Sequence, residues 1–324
     1  MIVLITGAAG MLGRKLAERL AADAALAATA ISRLWLHDVV PPAVPEGANV
    51  PVSCAVGDLA ADGEAARLVA CQPDVVFHLA AIVSGEAEQD FDKGYRINME
   101  GTRALLEALR ARARAPRLIV ASSIAVFGAP FEEPIADTFG TTPLTSYGTQ
   151  KAICELLVSD YSRKGFVAGL SLRLPTICVR PGAPNKAASG FFSNIIREPL
   201  AGREAVLPVA DSVMHWHASP RAAVGFLLHA AAVDLSAVGP RRALTMPGVA
   251  VTVGEQIAAL KRIAGDKVAA RIRRQRDPFL EAIVTGWPRN FAPRRALALG
   301  FEADRSFDDI IRAHIADELG GRIV

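Results

Sequence analysis

The chain is short of the residues that usually mark a metal site, a disulfide framework or a membrane span. Of its 324 residues, 4 are cysteine and 6 are histidine. Cys54, Cys71, Cys154 and Cys178 are scattered without a C-x-x-C pair, so they read as small apolar fillers in a reducing compartment. His, Cys, Asp and Glu nowhere fall at metal-ligand spacing, and no metal is expected. The net charge of +3 is too small an excess to argue for nucleic acid or a membrane surface. No apolar run approaches the roughly 20 residues needed to span a bilayer. The start lacks the charged lead and cleavage site of a signal peptide, so a cytoplasmic protein is expected. With 51% apolar residues, the chain has material for one large core or two.

What is present is concentrated at the beginning. Ile2 to Ile5 is apolar without alternation and reads as a strand buried on both faces, as in a parallel sheet. Thr6-Gly-Ala-Ala-Gly-Met-Leu-Gly13 makes a tight turn, and Leu12, Leu16 and Leu20 then recur at helical spacing. Strand, glycine turn and helix together are the context of a dinucleotide fingerprint. In such a turn Gly7 permits the bend, Gly10 admits a pyrophosphate to the backbone, and Gly13 lets helix and strand pack closely. Met11 and Leu12 open a helix N-terminus whose free amides suit phosphate. The spacing G-x-x-G-x-x-G is one residue longer than the plain form.

The same alternation continues. Leu34 to Asp38 is a second strand, and Asp38 lies 25 residues beyond Gly13. A carboxylate at that distance suits the ribose hydroxyls and repels a 2′-phosphate, which favours NAD over NADP, while a strand-end turn Asp is the plainer alternative and Arg33 nearby keeps NADP open. The segment 41–51 holds four prolines and must be a loop. Val52 to Val56 is a third strand, with Asp58 and Leu59 after it as candidates for the adenine edge and face. Alone, Asp58 also suits a helix cap. A short helix over Gly63 to Ala70 leads to a fourth strand, Val75 to Ala81, ending in small residues. Ser84 to Asp92 reads as a loop, and Tyr95 to Ala113 as a helix bearing Asn98 in its first turn. Arg117 to Ser123 is a fifth strand ending in Ser122 and Ser123. A helix opened by Ser146 and Tyr147 follows, running to about Tyr161. Leu170 to Val179 is a sixth strand broken by Pro175, where pairing ends. Strands alternating with helices imply an α/β fold: a doubly wound parallel sheet of the Rossmann type.

Beyond the sixth strand the pattern is less regular. Helices are expected near 191–201, 219–232, 253–264, 278–285 and 307–317, and strands near 205–208, 243–246 and 268–273. Ser219-Pro220 is a strong helix start. The basic run Arg271 to Arg276 reads as an exposed strand face rather than a nucleic-acid patch. Residues 1–179 are expected to form the nucleotide-binding domain, with the 219–232 helix returning to it. Residues 180–218 and 233–324 then form a smaller, discontinuous substrate domain.

Tyr147 and Lys151 are four apart at the start of one helix, so both project from one face. Phenols ordinarily ionise near pH 10, but an ammonium group and a cationic nicotinamide ring both favour phenolate. Ser123, 24 residues earlier on a strand end, can hydrogen-bond the same substrate oxygen. Such a set suits removing a proton from an alcohol whose carbon gives up hydride.

These residues together resemble the extended short-chain dehydrogenases/reductases, the superfamily of sugar-nucleotide epimerases and dehydratases. The motifs are Thr6-Gly-x-x-Gly-x-x-Gly13, Asp58-Leu59, His78-Leu-Ala-Ala81, Asn98 with Gly101-Thr102, Ser122-Ser-x-x-Val-Phe-Gly128, Tyr147-x-x-x-Lys151 and Arg173-Leu-Pro-Thr176. Phe127 departs from the family's usual Tyr, outside the catalytic set. The resemblance implies Ser123, Tyr147 and Lys151 as catalytic residues. It implies NAD held by Gly7, Gly10, Met11, Leu12, Gly13, Asp38, Asp58, Leu59, Leu79, Ala80, Ala81, Asn98, Ser122, Tyr147, Lys151, Pro175 and Thr176. It also implies a homodimer packed through the Asn98 and Tyr147 helices. Further stretches at 82–88, 174–185, 217–221, 283–288 and 295–301 resemble family members that oxidise a four-carbon sugar acid with NAD. The hydroxyl beside the carboxylate would become the ketone of a 2-keto acid.

A small polyhydroxy carboxylate needs cationic or amide donors for its acid and polar groups for its hydroxyls. Ser84, Ser123, Tyr147, Thr176, Asn185 and Arg221 are the candidates, with the carboxylate partner open among Arg180, Lys186, His215, His217 and Arg221. Two other functions remain possible for the same residues. A sugar-nucleotide 4-epimerase would use the same triad while retaining NAD. A non-catalytic NAD(H)-sensing module usually loses Tyr or Lys, and both are here.

Overall fold

Seven strands form the central sheet: β1 (Ile2–Thr6), β2 (Arg33–Asp38), β3 (Val52–Val56), β4 (Val75–His78), β5 (Arg117–Ser123), β6 (Ala168–Leu174) and β7 (Ala243–Thr245). The computed structural model describes residues 1–112, 114–182 and 188–324. All neighbouring strands in this sheet are parallel, in the order 7-6-5-4-1-2-3. Strand order reverses beside β1, where Ile5 lies opposite both Leu36 of β2 and Phe77 of β4. In open α/β sheets ligands bind outside the strand C-termini at such a reversal.

Both faces of the sheet are covered, which is why its strands read as unbroken apolar runs. Val3, Ile5, Leu34, Leu36 and Phe77 pack on one side with the helices Met11–Asp23 and Pro220–Ala232. Leu4, Val76, Leu118 and Val120 pack on the other with Leu105, Leu106 and Val158. A separate core joins Cys178, Phe192, Ile196, Leu207, Ile257, Leu260, Ile310 and Ile311. Later segments do not all belong to that second core. β7 extends the nucleotide-binding sheet, and Ala296 and Phe301 join its core, so residues 233–324 divide between the two.

Several local expectations need correcting. Ser84 to Asp92, expected as a loop, contains a helix at Ser84–Gln89. A second helical segment starts at Phe91, with Asp90 accepting from the Lys93 amide as its cap. It passes through a π-helical turn, Tyr95–Glu100, before the regular helix Gly101–Arg110. Expecting a helix start at Tyr95 therefore placed the boundary one turn late; Ala113 lies outside the described residues. The sixth strand is two strands. At Pro175 the chain leaves β6, and Thr176–Ile177 pairs instead with Met214–Ala218. The expected strand 268–273 is a short helix, Asp266–Ala269, then a strand, Ile272–Arg274. Arg273, Arg274 and Arg276 there pair with Glu204, Asp211 and Glu281, so the basic run is locally neutralised. No helix among the described residues is long and apolar enough to cross a membrane.

Candidate active site

The glycine turn is built for close approach. Gly7 has φ +75°, and a Cβ on it would lie 2.6 Å from the Ala80 nitrogen. A Cβ on Gly13 would lie 2.2 Å from the Gly7 carbonyl oxygen, so helix and turn could not close with any other residue. The helix Met11–Asp23 begins at Gly10 without a side-chain cap and without an acid in its first turn. Its first amides thus remain available to an anion. Asp38, at the end of β2, accepts from the Ala9 and Val39 amides, which braces the turn from the neighbouring strand. These features fit a dinucleotide: a tight turn, open amides at a helix start and a carboxylate at the next strand end.

Beside the turn lies a cavity of about 540 Å³ at the C-terminal edge of the sheet. Gly7, Gly10, Met11, Leu12, Gly13, Leu79, Ala81, Ser84, Ser122, Ser123, Tyr147, Lys151, Pro175 and Thr176 all line it. Ser123 ends β5, where its Oγ accepts from the Ala125 amide at 3.1 Å and keeps its own proton for a ligand. Thr145 caps the Tyr147 helix by accepting from the Gly148 amide. A Cβ on Gly148 would lie 2.1 Å from the Ala125 carbonyl oxygen. Glycine therefore lets the Tyr147 helix seat directly on the turn that follows Ser123. Lys151 is buried; its Nζ donates to the Ala121 carbonyl at 2.9 Å and lies 5.7 Å from the Tyr147 ring centre.

Ser122 lines the cavity, yet its hydroxyl donates to Glu155 at 2.6 Å, and Glu155 also receives the buried Arg173 guanidinium. Its side chain therefore faces the network that ties β5, β6 and the Tyr147 helix together. His78, at the end of β4, bonds Thr6 and Thr102 through its two nitrogens. Burial, with the Lys151 charge, pulls its pKa to about 3.

The far wall comes from elsewhere in the chain. Thr176, Arg180, Ser189, His215, Trp287 and Pro288 line it. Arg180 donates from Nε to the Ile177 carbonyl and from Nη2 to Ser189. Burial pulls the Arg180 pKa below the usual guanidinium range, a penalty that an anionic ligand would relieve. Among the described residues Arg180 and Lys151 are the cations of the lining, His215 being held neutral by burial, and no Asp or Glu faces the cavity. Trp287 and Pro288 are not among the expected site residues, although they lie in the 283–288 stretch that carries part of the resemblance.

Other expected site residues stand apart from this cavity. Arg221 is exposed at its helix start and paired with Asp317, so the structure does not bring it to the substrate end. His217 is wholly buried against Gln256. Asn98 is buried too: its amide bonds both backbone groups of Ile82 and the Gln150 side chain, which leaves it positioning the Ile82 loop rather than touching the cavity. Asp58 pairs with Arg96 and caps the Ala60 amide, while Leu59 is buried. Asp38, Asp58, Leu59, Ala80 and Asn98 therefore lie outside the cavity lining. Asn185 and Lys186 lie outside the described residues.

Fold and site together define a dinucleotide-dependent oxidoreductase architecture, and the chain belongs to the NAD dependent epimerase/dehydratase family, which matches residues 3–218. Its cofactor is NAD. The chain is 48% identical over 321 residues to the D-erythronate dehydrogenase of Cupriavidus necator, covering 98% of each chain. It is 43% identical over 316 residues to the D-erythronate dehydrogenase of Haemophilus influenzae, covering 97% of this chain and 99% of that one. The crystal structure of the nucleoside-diphosphate-sugar epimerase from Agrobacterium tumefaciens superposes with a TM-score of 0.97 at 59% identity, over 99% of this chain and 95% of that one.

Proposed function

We propose that the chain oxidises the 2-hydroxyl of D-erythronate to give 2-keto-D-erythronate, with Ser123, Tyr147 and Lys151 as the reacting set. That it is an NAD-dependent dehydrogenase acting on a CH–OH group follows from its near-full-length similarity to two such dehydrogenases. The observation that favours a small sugar acid is the lining of the cavity: about 540 Å³, with Lys151 and Arg180 as its described cations and no acid.

In this reading Arg180 binds the substrate carboxylate by charge-assisted hydrogen bonds. Ser123 donates to the C2 oxygen and orients it. Tyr147 accepts the hydroxyl proton on its phenolic oxygen. Lys151, fixed on the Ala121 carbonyl, stabilises the negative charge at Tyr147 and holds the nicotinamide ribose. NAD, when bound, would supply the hydride acceptor. Ser84 and Thr176 meet the remaining hydroxyls. Gly7, Gly10 and Gly13 would cradle the pyrophosphate, and Asp38 would receive the adenosine ribose. The resemblance implies a homodimer packed through the Tyr147 and Asn98 helices, which sedimentation would test.

The name of the Agrobacterium structure raises a second reading, a sugar-nucleotide epimerase. A nucleoside diphosphate would need donors for two phosphates beside a sugar, and the described substrate wall offers one arginine against Trp287 and Pro288. The two readings separate on NADH released from D-erythronate. Steady NADH formation supports the dehydrogenase. Absence of NADH, together with NAD that copurifies and stays bound, contradicts it.

A further inference from the structure

We infer that Ser189, Ser193 and Arg197, along one edge of the helix Gly190–Leu200, are positioning residues that hold the Arg180 guanidinium at the substrate wall. The inference rests on the sugar-acid reading above and deepens it.

Arg180 lies just past the strand Thr176–Ile177. A long cationic side chain at such a place gains entropy and hydration by swinging into water. Here it is held from backbone to tip. Its amide donates to Ser193 Oγ at 3.0 Å, and its carbonyl accepts from Arg197 Nη1 at 2.8 Å. Its Nε donates to the Ile177 carbonyl at 3.0 Å, and its Nη2 to Ser189 Oγ at 2.9 Å. Nη1 meets no acceptor among the described residues, which leaves it for a carboxylate oxygen.

Three of these partners come from one helix, and they are four residues apart, so they line one edge of it. Ser189 stands at the helix start but caps none of its amides; its hydroxyl serves Arg180 instead. Arg197 is buried, with Asn194 accepting from its Nη2 and Glu198 from its Nε, both at 2.7 Å. Its charge is thus neutralised on its own helix, and its bond to Arg180 is the one that leaves the helix among the described residues. Arg180 has no carboxylate partner of its own among them. Another face of the helix is anchored in the second core by Phe192, Ile195, Ile196 and Leu200. Arg180 is therefore referred to a rigid element. Such precision matters, because about 1 Å of misplacement can cost about a hundredfold in rate.

Kinetics of the full chain test this. Arg197→Met should raise KM for D-erythronate about tenfold, with kcat and KM for NAD within about twofold. Arg197→Lys, which can still donate to the Arg180 carbonyl, should recover most of the loss. In an Arg180→Gln background, Arg197→Met should add less than about twofold, because its effect passes through Arg180. An unaltered KM in folded Arg197→Met, or an equal rise in both backgrounds, overturns the inference. Should Arg197→Met not fold, Ser193→Ala gives the same comparison, with an expected rise of about threefold.

A second readout needs no turnover. In a proton–nitrogen spectrum of arginine-labelled protein, loss of a signal in Arg180→Gln assigns the Arg180 Nε–H. That signal should be sharp and slow to exchange at about pH 7 in the wild type, and broadened or lost in Arg197→Met. A wild-type signal already averaged with water, or one unchanged by Arg197→Met, overturns the inference. Absence of wild-type turnover on any sugar acid overturns the functional reading, and the spectrum then decides the role of Arg197 by itself.

Discussion

The two ends of the cavity are built in different ways. The cofactor end is backbone: a glycine at positive φ, glycines that admit no Cβ, and open amides at a helix start. The wall proposed for the substrate is side chain: Arg180, Thr176, His215 and Trp287, from three segments spread over more than a hundred residues. Backbone sites demand particular residues at fixed local spacing, so they can be read along the chain. This wall is assembled by tertiary packing, so chain spacing does not say which of its candidate side chains meet.

If that contrast is right, damage at the two ends should differ in kind. The largest effect belongs to Gly13→Val. With a Cβ 2.2 Å from the Gly7 carbonyl oxygen, the turn must open. NAD binding by calorimetry should be lost, or the fold destabilised on denaturant titration. Tyr147→Phe comes next: kcat should fall by about a thousandfold, as for loss of a general base, while NAD still binds. Wild-type turnover in a folded Tyr147→Phe protein would remove the proposed base. Arg180→Gln should act on the substrate end alone, raising KM for the sugar acid about thirtyfold, the scale of a hydrogen bond to a charged group, with NAD affinity unchanged.

The buried imidazoles make stability depend on pH. His78 and His215 are both pulled to about 3, chiefly by burial. Below the ordinary histidine range the unfolded chain takes up protons that the folded chain refuses. Stability should therefore be full above about pH 6.5 and fall as pH drops towards 3, by about 1.4 kcal/mol per pH unit for each ring. Denaturant titrations across that range check the slope, which a flat profile would contradict. The smallest effect is expected for Arg221→Ala. An exposed ion pair contributes under about 1 kcal/mol, and kinetic constants should stay within about twofold; a large rise in KM would return Arg221 to the substrate site.

Much of the fold was legible because buried parallel strands are continuous apolar runs: β1 is such a run, and β5 begins and ends where the composition changes. The helix at Ser84–Gln89 was not, since its sequence is polar and acidic and only Ala87 is fully buried. Pro175 marked an interruption, but not that the chain would change sheets there. The glycine turn and the strand end that carries Asp38 were readable by spacing, whereas the burial of Asn98 was not. A buried amide among backbone groups looks, in sequence, like one that faces a ligand. The place of Arg221 was illegible for the converse reason: a helix-start arginine near a proposed cleft pairs with a carboxylate on the last helix, 96 residues away.

The central claim is tested most directly by following NADH through many turnovers with D-erythronate, L-threonate and related short acids, each with NAD and NADP. The account predicts NADH well beyond one equivalent per chain, fastest with D-erythronate and NAD. NADH that stops at one equivalent, or a preference for NADP, would contradict it.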